Sequence, residues 1–154
     1  MKENTHIKGM VRIVHKRNGK VLSDTGFIRN QITNTSFAVF SGLAGNTGSQ
    51  TAFTYLAVGT SSTAVSAGHT ALQAEITDSG LARASATVTR STTNQTNDTL
   101  QLDYTWTASG TKTVQEIGVF NAASSGVMAG RVLTGAKALT ANDQLVATYK
   151  IIFS

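Results

Sequence analysis

Hydrophobic and polar positions alternate most strictly over residues 100–106. There Leu100, Leu102, Tyr104 and Trp106 interleave with Gln101, Asp103 and Thr105. A period of two predicts a strand with one buried and one polar face. Leu145, Ala147, Tyr149, Ile151 and Phe153 repeat the pattern near the C-terminus. Met10–His15 is β-branched and roughly alternating, and it leads into Arg17-Asn18-Gly19-Lys20. Asn-Gly suits a type I′ turn because both central residues need positive φ, so these residues predict a hairpin. The return strand begins at Val21-Leu22 and is expected to run on through Gly26-Phe27-Ile28. Further strands are predicted over 53–59, 81–90, 113–120 and 127–133. Helical spacing occurs once with a start and a stop. Asn34 or Thr35 can cap it, Phe37, Phe40, Leu43 and Ala44 share a face, and Gly45 ends it. This predicts a short helix near 35–44 with its aromatic face on a sheet. A single helical turn is expected over Thr70–Glu75, and loops over 45–52 and 60–69. About eight strands at such spacing predict a mostly β protein, an antiparallel β-sandwich with jelly-roll-like as the nearest form.

Composition narrows the class. A chain of 154 residues suits one domain with its own core. Charged residues are only 14%, and Thr, Ser, Ala and Gly take their place, which favours strands and turns over disorder. There is no Cys, so disulfides, thiolate metal sites and Cys nucleophiles are excluded. No apolar run approaches the roughly 20 residues of a membrane-spanning helix. Residues 1–6 lack the apolar stretch of a secretory signal, so assembly in a cytoplasm is expected.

Charge is uneven along the chain. The net charge is +5, and the basic excess lies in residues 1–30, because residues 31–154 hold basic and acidic residues in equal number. The expected organisation is a basic N-terminal hairpin or arm over 1–30 and a β-sandwich body over 31–154, within one domain. Lys8, Arg12, Lys16, Arg17 and Lys20 are the candidate partner-docking residues. They can form a solvated face, an acidic-protein contact or a nucleic-acid contact. Nucleic acid is the least favoured, since no aromatic residue interleaves with these charges before Phe27.

No catalytic set stands out, and the expected reading is a protein that is not an enzyme and needs no cofactor or metal. His6, His15 and His69 have no metal-ligand spacing and are expected at the surface. There is no Gly-x-Ser-x-Gly elbow and no phosphate-binding loop. Asn94, Asn97 and Asp98 read as a turn rather than a calcium site. A hydrolase would have to draw on carboxylates such as Glu116 or Asp103. A glycan-binding role would draw on Trp106, the only tryptophan, although its neighbours on the alternating strand favour a core position.

The order of three segments resembles small virion proteins of tailed bacteriophages. They are Ala57-Val58-Gly59-Thr60 followed by Thr70–Glu75; Glu116–Ala122 followed by Gly126–Arg131; and Leu139 through Asp143-Gln144-Leu145 to Ile151–Ser154. The resemblance spans roughly residues 30–154. It departs at the loop after Gly59, which carries Val65 and no proline. It implies a structural role in a virion without fixing the position there. The basic N-terminal segment, which suits docking on an acidic capsid surface, favours capsid decoration over a tail, baseplate or fibre position that binds a receptor or glycan. The resemblance also implies a major capsid or other virion protein as partner, a homo-oligomer with a trimer favoured, and no membrane partner.

Overall fold

The computed structural model describes residues 6–154. The first hairpin forms as its turn chemistry predicts. Strand β1 (Ile7–Arg17) turns at Asn18 and Gly19, whose φ values of 49° and 76° are those a type I′ turn needs, into β2 (Lys20–Asp24). The return strand does not run on to Ile28. It stops at Asp24, the chain turns at Gly26, and a separate strand, β3 (Ile28–Ile32), pairs with the other half of β1. Helix α1 (Ser36–Ala44) follows, then β4 (Tyr55–Gly59), the short β5 (Ala84–Ser85), β6 (Thr87–Ser91), β7 (Thr99–Thr107), β8 (Lys112–Phe120), β9 (Met128–Leu139) and β10 (Gln144–Phe153).

All named strand pairings are antiparallel, and the strands form one path in the order β5-β4-β8-β9-β3-β1-β10-β7-β6, with β2 added to β1. β3 joins the two halves. Its first residues pair with Gly9–Val11 of β1, and Gln31 and Ile32 pair with Arg131 and Gly130 of β9. On the far side, Ala86 interrupts the strand expected over 81–90 and donates its N–H to Thr54 O at 2.8 Å. The chain crosses there from one edge of the path to the other. The result is a nearly closed antiparallel β-sandwich with one short helix.

The core lies between the two halves. Val11 and Ile13 of β1, Leu102 and Trp106 of β7, Ile117 and Val119 of β8, and Leu145, Ala147, Tyr149 and Ile151 of β10 belong to it. The N-terminal hairpin is thus integral to the body rather than a separate arm. β1 pairs with β10 from Ile7↔Phe153 to Lys16↔Gln144, and Val11 and Ile13 are 0% exposed. Trp106 is a core residue, 2% exposed, with Nε1 donating to Ala82 O at 2.9 Å.

Three further expectations change. α1 buries Ser36, Val39 and Gly42, so its packed face is turned from the aromatic one predicted. Phe37 and Leu43 are exposed, and Phe40 is half-buried against Phe53 and Phe153. The alternation of β10 breaks after Ile151, leaving Ile152 buried and Phe153 exposed. Residues 70–75 form no helical turn, because their backbone N–H groups are drawn to a carboxylate on the sheet.

Candidate docking surface and the anchored loop

Residues directly opposite one another on neighbouring strands share a face. Since Val11 and Ile13 point into the core, Lys8, Arg12 and Lys16 point out. Their cross-strand partners on β10 are Ile152, Thr148 and Gln144. Met10 lies in the same outer row and faces Lys150 on one side and Arg29 on the other. The outer face therefore gathers Lys8, Arg12, Lys16, Arg29 and Lys150. Lys150 Nζ also lies 4.9 Å from the ring centre of Phe27, a cation–π contact.

The five residues singled out from the sequence divide. Lys8, Arg12 and Lys16 come together on this face. Arg17 and Lys20 pair with each other across the hairpin end. Arg17 is turned to Asp143, with Nε and Nη2 donating to its two oxygens at 2.8 and 2.7 Å. Arg12 is paired too, with Nε and Nη2 donating to Asp24 at 3.0 and 2.5 Å. The Arg12 guanidinium and then the Gly26 N–H hold the Asp24 carboxyl at about 2, below the usual range. Lys150 is legible as outward from the alternation of β10, but only the register sets it beside Met10.

The other side-chain carboxylates are also engaged among the described residues. Glu75 takes two bonds from Arg83, at 2.9 and 2.7 Å. Asp78 pairs with Lys112 at 2.9 Å, and Asp103 accepts from Gln101 and Thr148. Asp98 accepts the Gln95 N–H, the Thr99 hydroxyl and the N–H groups of Thr93 and Asn94, which makes the turn expected there and lowers its pKa. No ion pair within the described residues reaches Lys8, Lys16, Lys20, Arg29 or Lys150. Their charge is left facing outward.

Glu116, considered above as a hydrolase carboxylate, is fully buried with Arg131. Its oxygens accept the N–H groups of Gln73 and Ala74 at 3.1 and 2.8 Å, and Arg131 Nε donates to it at 2.5 Å. Arg131 Nη2 donates to Thr63 O at 2.9 Å, and Nη1 lies 3.4 Å from His69 Nδ1. One buried pair on neighbouring strands thus ties down both ends of the 60–76 segment. Leu72 seals the same surface with Ala57, Phe120 and Met128. Gly59 allows this approach, because a Cβ there would collide with the Glu116 carboxylate and the Ala74 carbonyl. The sequence signal was available in part: Glu116 opens the apolar run Ile117–Phe120, and Arg131 is the one charge among Met128–Leu133.

His15, expected at the surface, is buried and lies 2.8 Å from Asp143 Oδ2 through Nε2. Asp143 also accepts the Thr140 N–H at 2.9 Å. Arg17, then Thr140 and His15, push its pKa well below the ordinary carboxylate value despite burial. No described group of three or more His, Asp or Glu side chains has metal-binding geometry.

No family model, curated protein or solved structure matches this chain.

Proposed function

We propose that this chain is a structural protein of a tailed-phage virion, docked on the head surface as a capsid decoration protein. The observation that carries this reading is the outer face of β1, β3 and β10. Lys8, Lys16, Arg29 and Lys150 project there without a carboxylate partner among the described residues, while the described carboxylates serve the fold's own turns, ion pairs and hydrogen bonds. Such a face suits an acidic surface on a larger protein, where complementary charge steers and orients docking. The roles of Glu116 and Arg131 also support a structural reading, because this pair holds a loop on the sheet. The expected partner is the major capsid protein, with copies of this chain set around a symmetry axis and a trimer favoured. A tail, baseplate or fibre position would use the same face on another partner.

The test is incorporation. Mass spectrometry of purified particles of the encoding phage should find many copies, mostly in the head fraction. Changing Lys8, Lys16, Arg29 and Lys150 to Gln leaves Arg12 and Arg17 in their internal pairs. The variant should fold and fail to occupy particles. Occupancy by the unaltered protein should fall with salt, because exposed charges are screened over about 8 Å at physiological ionic strength. Full occupancy by the variant would remove the docking face from the reading. Absence of the unaltered protein from particles would end the virion reading itself.

A further inference from the structure

β6 is the last strand of the sheet path. It pairs with β7 from Thr87↔Asp103 to Ser91↔Thr99, and among the described residues its other edge has no backbone partner. An apolar groove of about 420 Å³ runs between α1 and the core-side face of the β6–β7 ribbon. Phe40, Leu43, Phe53, Val88, Leu100 and Phe153 line it. Leu43, Val88 and Phe153 are 39%, 40% and 42% exposed. Val88 faces the core side, opposite Leu102, yet the facing half of the sandwich does not cover it. β5, which would extend that half, pairs only Ala84 and Ser85 with β4.

The other strand added at an edge, β2, is protected. Its pairing with β1 is broken by an irregularity at His15/Lys16, and Lys20 and Asp24 stand at its ends. Bulges and charges of this kind discourage strand addition. β6 has no bulge: its five pairs are in continuous register, with no proline and no lysine. Its one charge, Arg90, lines the groove without an ion-pair partner among the described residues. Asp98 lines the same groove, but its oxygens are taken by backbone N–H groups.

We infer that β6 and its groove receive an extended segment of a different protein, added as a further strand, with apolar side chains at alternate positions entering the groove and a carboxylate facing Arg90. In strand addition of this kind the backbone supplies affinity and alternate side chains supply specificity. A second copy of this chain fits less well, because its described side-chain carboxylates are all engaged internally. The inference is independent of the virion reading.

The probe is a fluorescein-labelled, end-capped peptide of nine residues, alternating valine and threonine around a central glutamate. A second probe carries lysine in place of the glutamate. The glutamate peptide should bind and shift the backbone amide resonances of Thr87–Ser91. The lysine peptide should bind roughly tenfold more weakly or worse, and Arg90→Glu should reverse that order. Val88→Lys, at an exposed position, should abolish binding of both and leave the melting temperature unchanged. No binding of the glutamate peptide at about 1 mM, where even weak complexes register, would overturn the inference. So would amide shifts confined to other strands, or indifference to Arg90→Glu. Self-association lost in Val88→Lys would overturn it by assigning the edge to a second copy.

Discussion

Asp143 shows how much one residue can carry here. It is 1% exposed and gathers His15, Arg17 and the Thr140 N–H, linking the end of the first hairpin to the turn before β10. Its carboxyl titrates below its ordinary value, first because of Arg17 and then because of Thr140 and His15. A group whose folded pKa is depressed binds protons less readily when folded. Its stabilisation is therefore complete above the unfolded value, about 3.9, and disappears as pH falls toward the folded value. Melting temperature should accordingly fall steeply below about pH 4. Asp143→Asn should melt lower at pH 7 and show a shallower fall, while Asp24 and Asp98 keep part of the acid sensitivity. Parallel slopes in the two proteins would remove Asp143 from this role. None of this was legible locally, because Asp143 lies far along the chain from His15 and Arg17. The alternation around Leu102 and Trp106, by contrast, was read correctly because it needs only neighbouring residues.

At the scale of elements, the 60–76 segment is the instructive case. It is long and rich in small residues, yet it lies against the sheet through Glu116 and Arg131. Removing one partner of a buried ion pair costs roughly 3–5 kcal/mol, because the other charge stays buried and uncompensated. Glu116→Ala should lose stability on that scale in urea unfolding. It should also expose residues 60–76 to proteolysis under conditions where the native protein resists. Unchanged resistance would mean that Leu72 and its apolar neighbours suffice to hold the loop. α1 makes the complementary point. Its bounds match the positions of Thr35 and Gly45, although the Thr35 side chain makes no capping hydrogen bond, and its buried face was not legible. Phe37 and Phe40 looked like the natural core residues, whereas close packing at this site admits Ser36, Val39 and Gly42. Residue spacing and the glycine stop place a helix, and the shape of the surface beneath decides its rotation.

At the scale of the molecule, β1 is the hub. It pairs with β10 along one edge and with β2 and β3 along the other, and it sends Val11 and Ile13 into the core. Deleting residues 1–30 should therefore give an insoluble chain, since it uncovers the edge of β10 and opens the core. A soluble, cooperatively melting truncation would show that the body closes without β1. Sequence alone determined the strands with strict alternation, the Asn18-Gly19 turn, the existence of α1 and the basic excess of residues 1–30. Each depends on neighbouring residues, through side-chain period, backbone φ or charge count. Only the tertiary structure decided that β1 lies mid-sheet, that Lys150 and Arg29 flank Met10, and that Glu116 meets Arg131. It also decided that β6 is left with an open edge among the described residues. These depend on register between strands distant in sequence, and register follows from how all the apolar faces bury together.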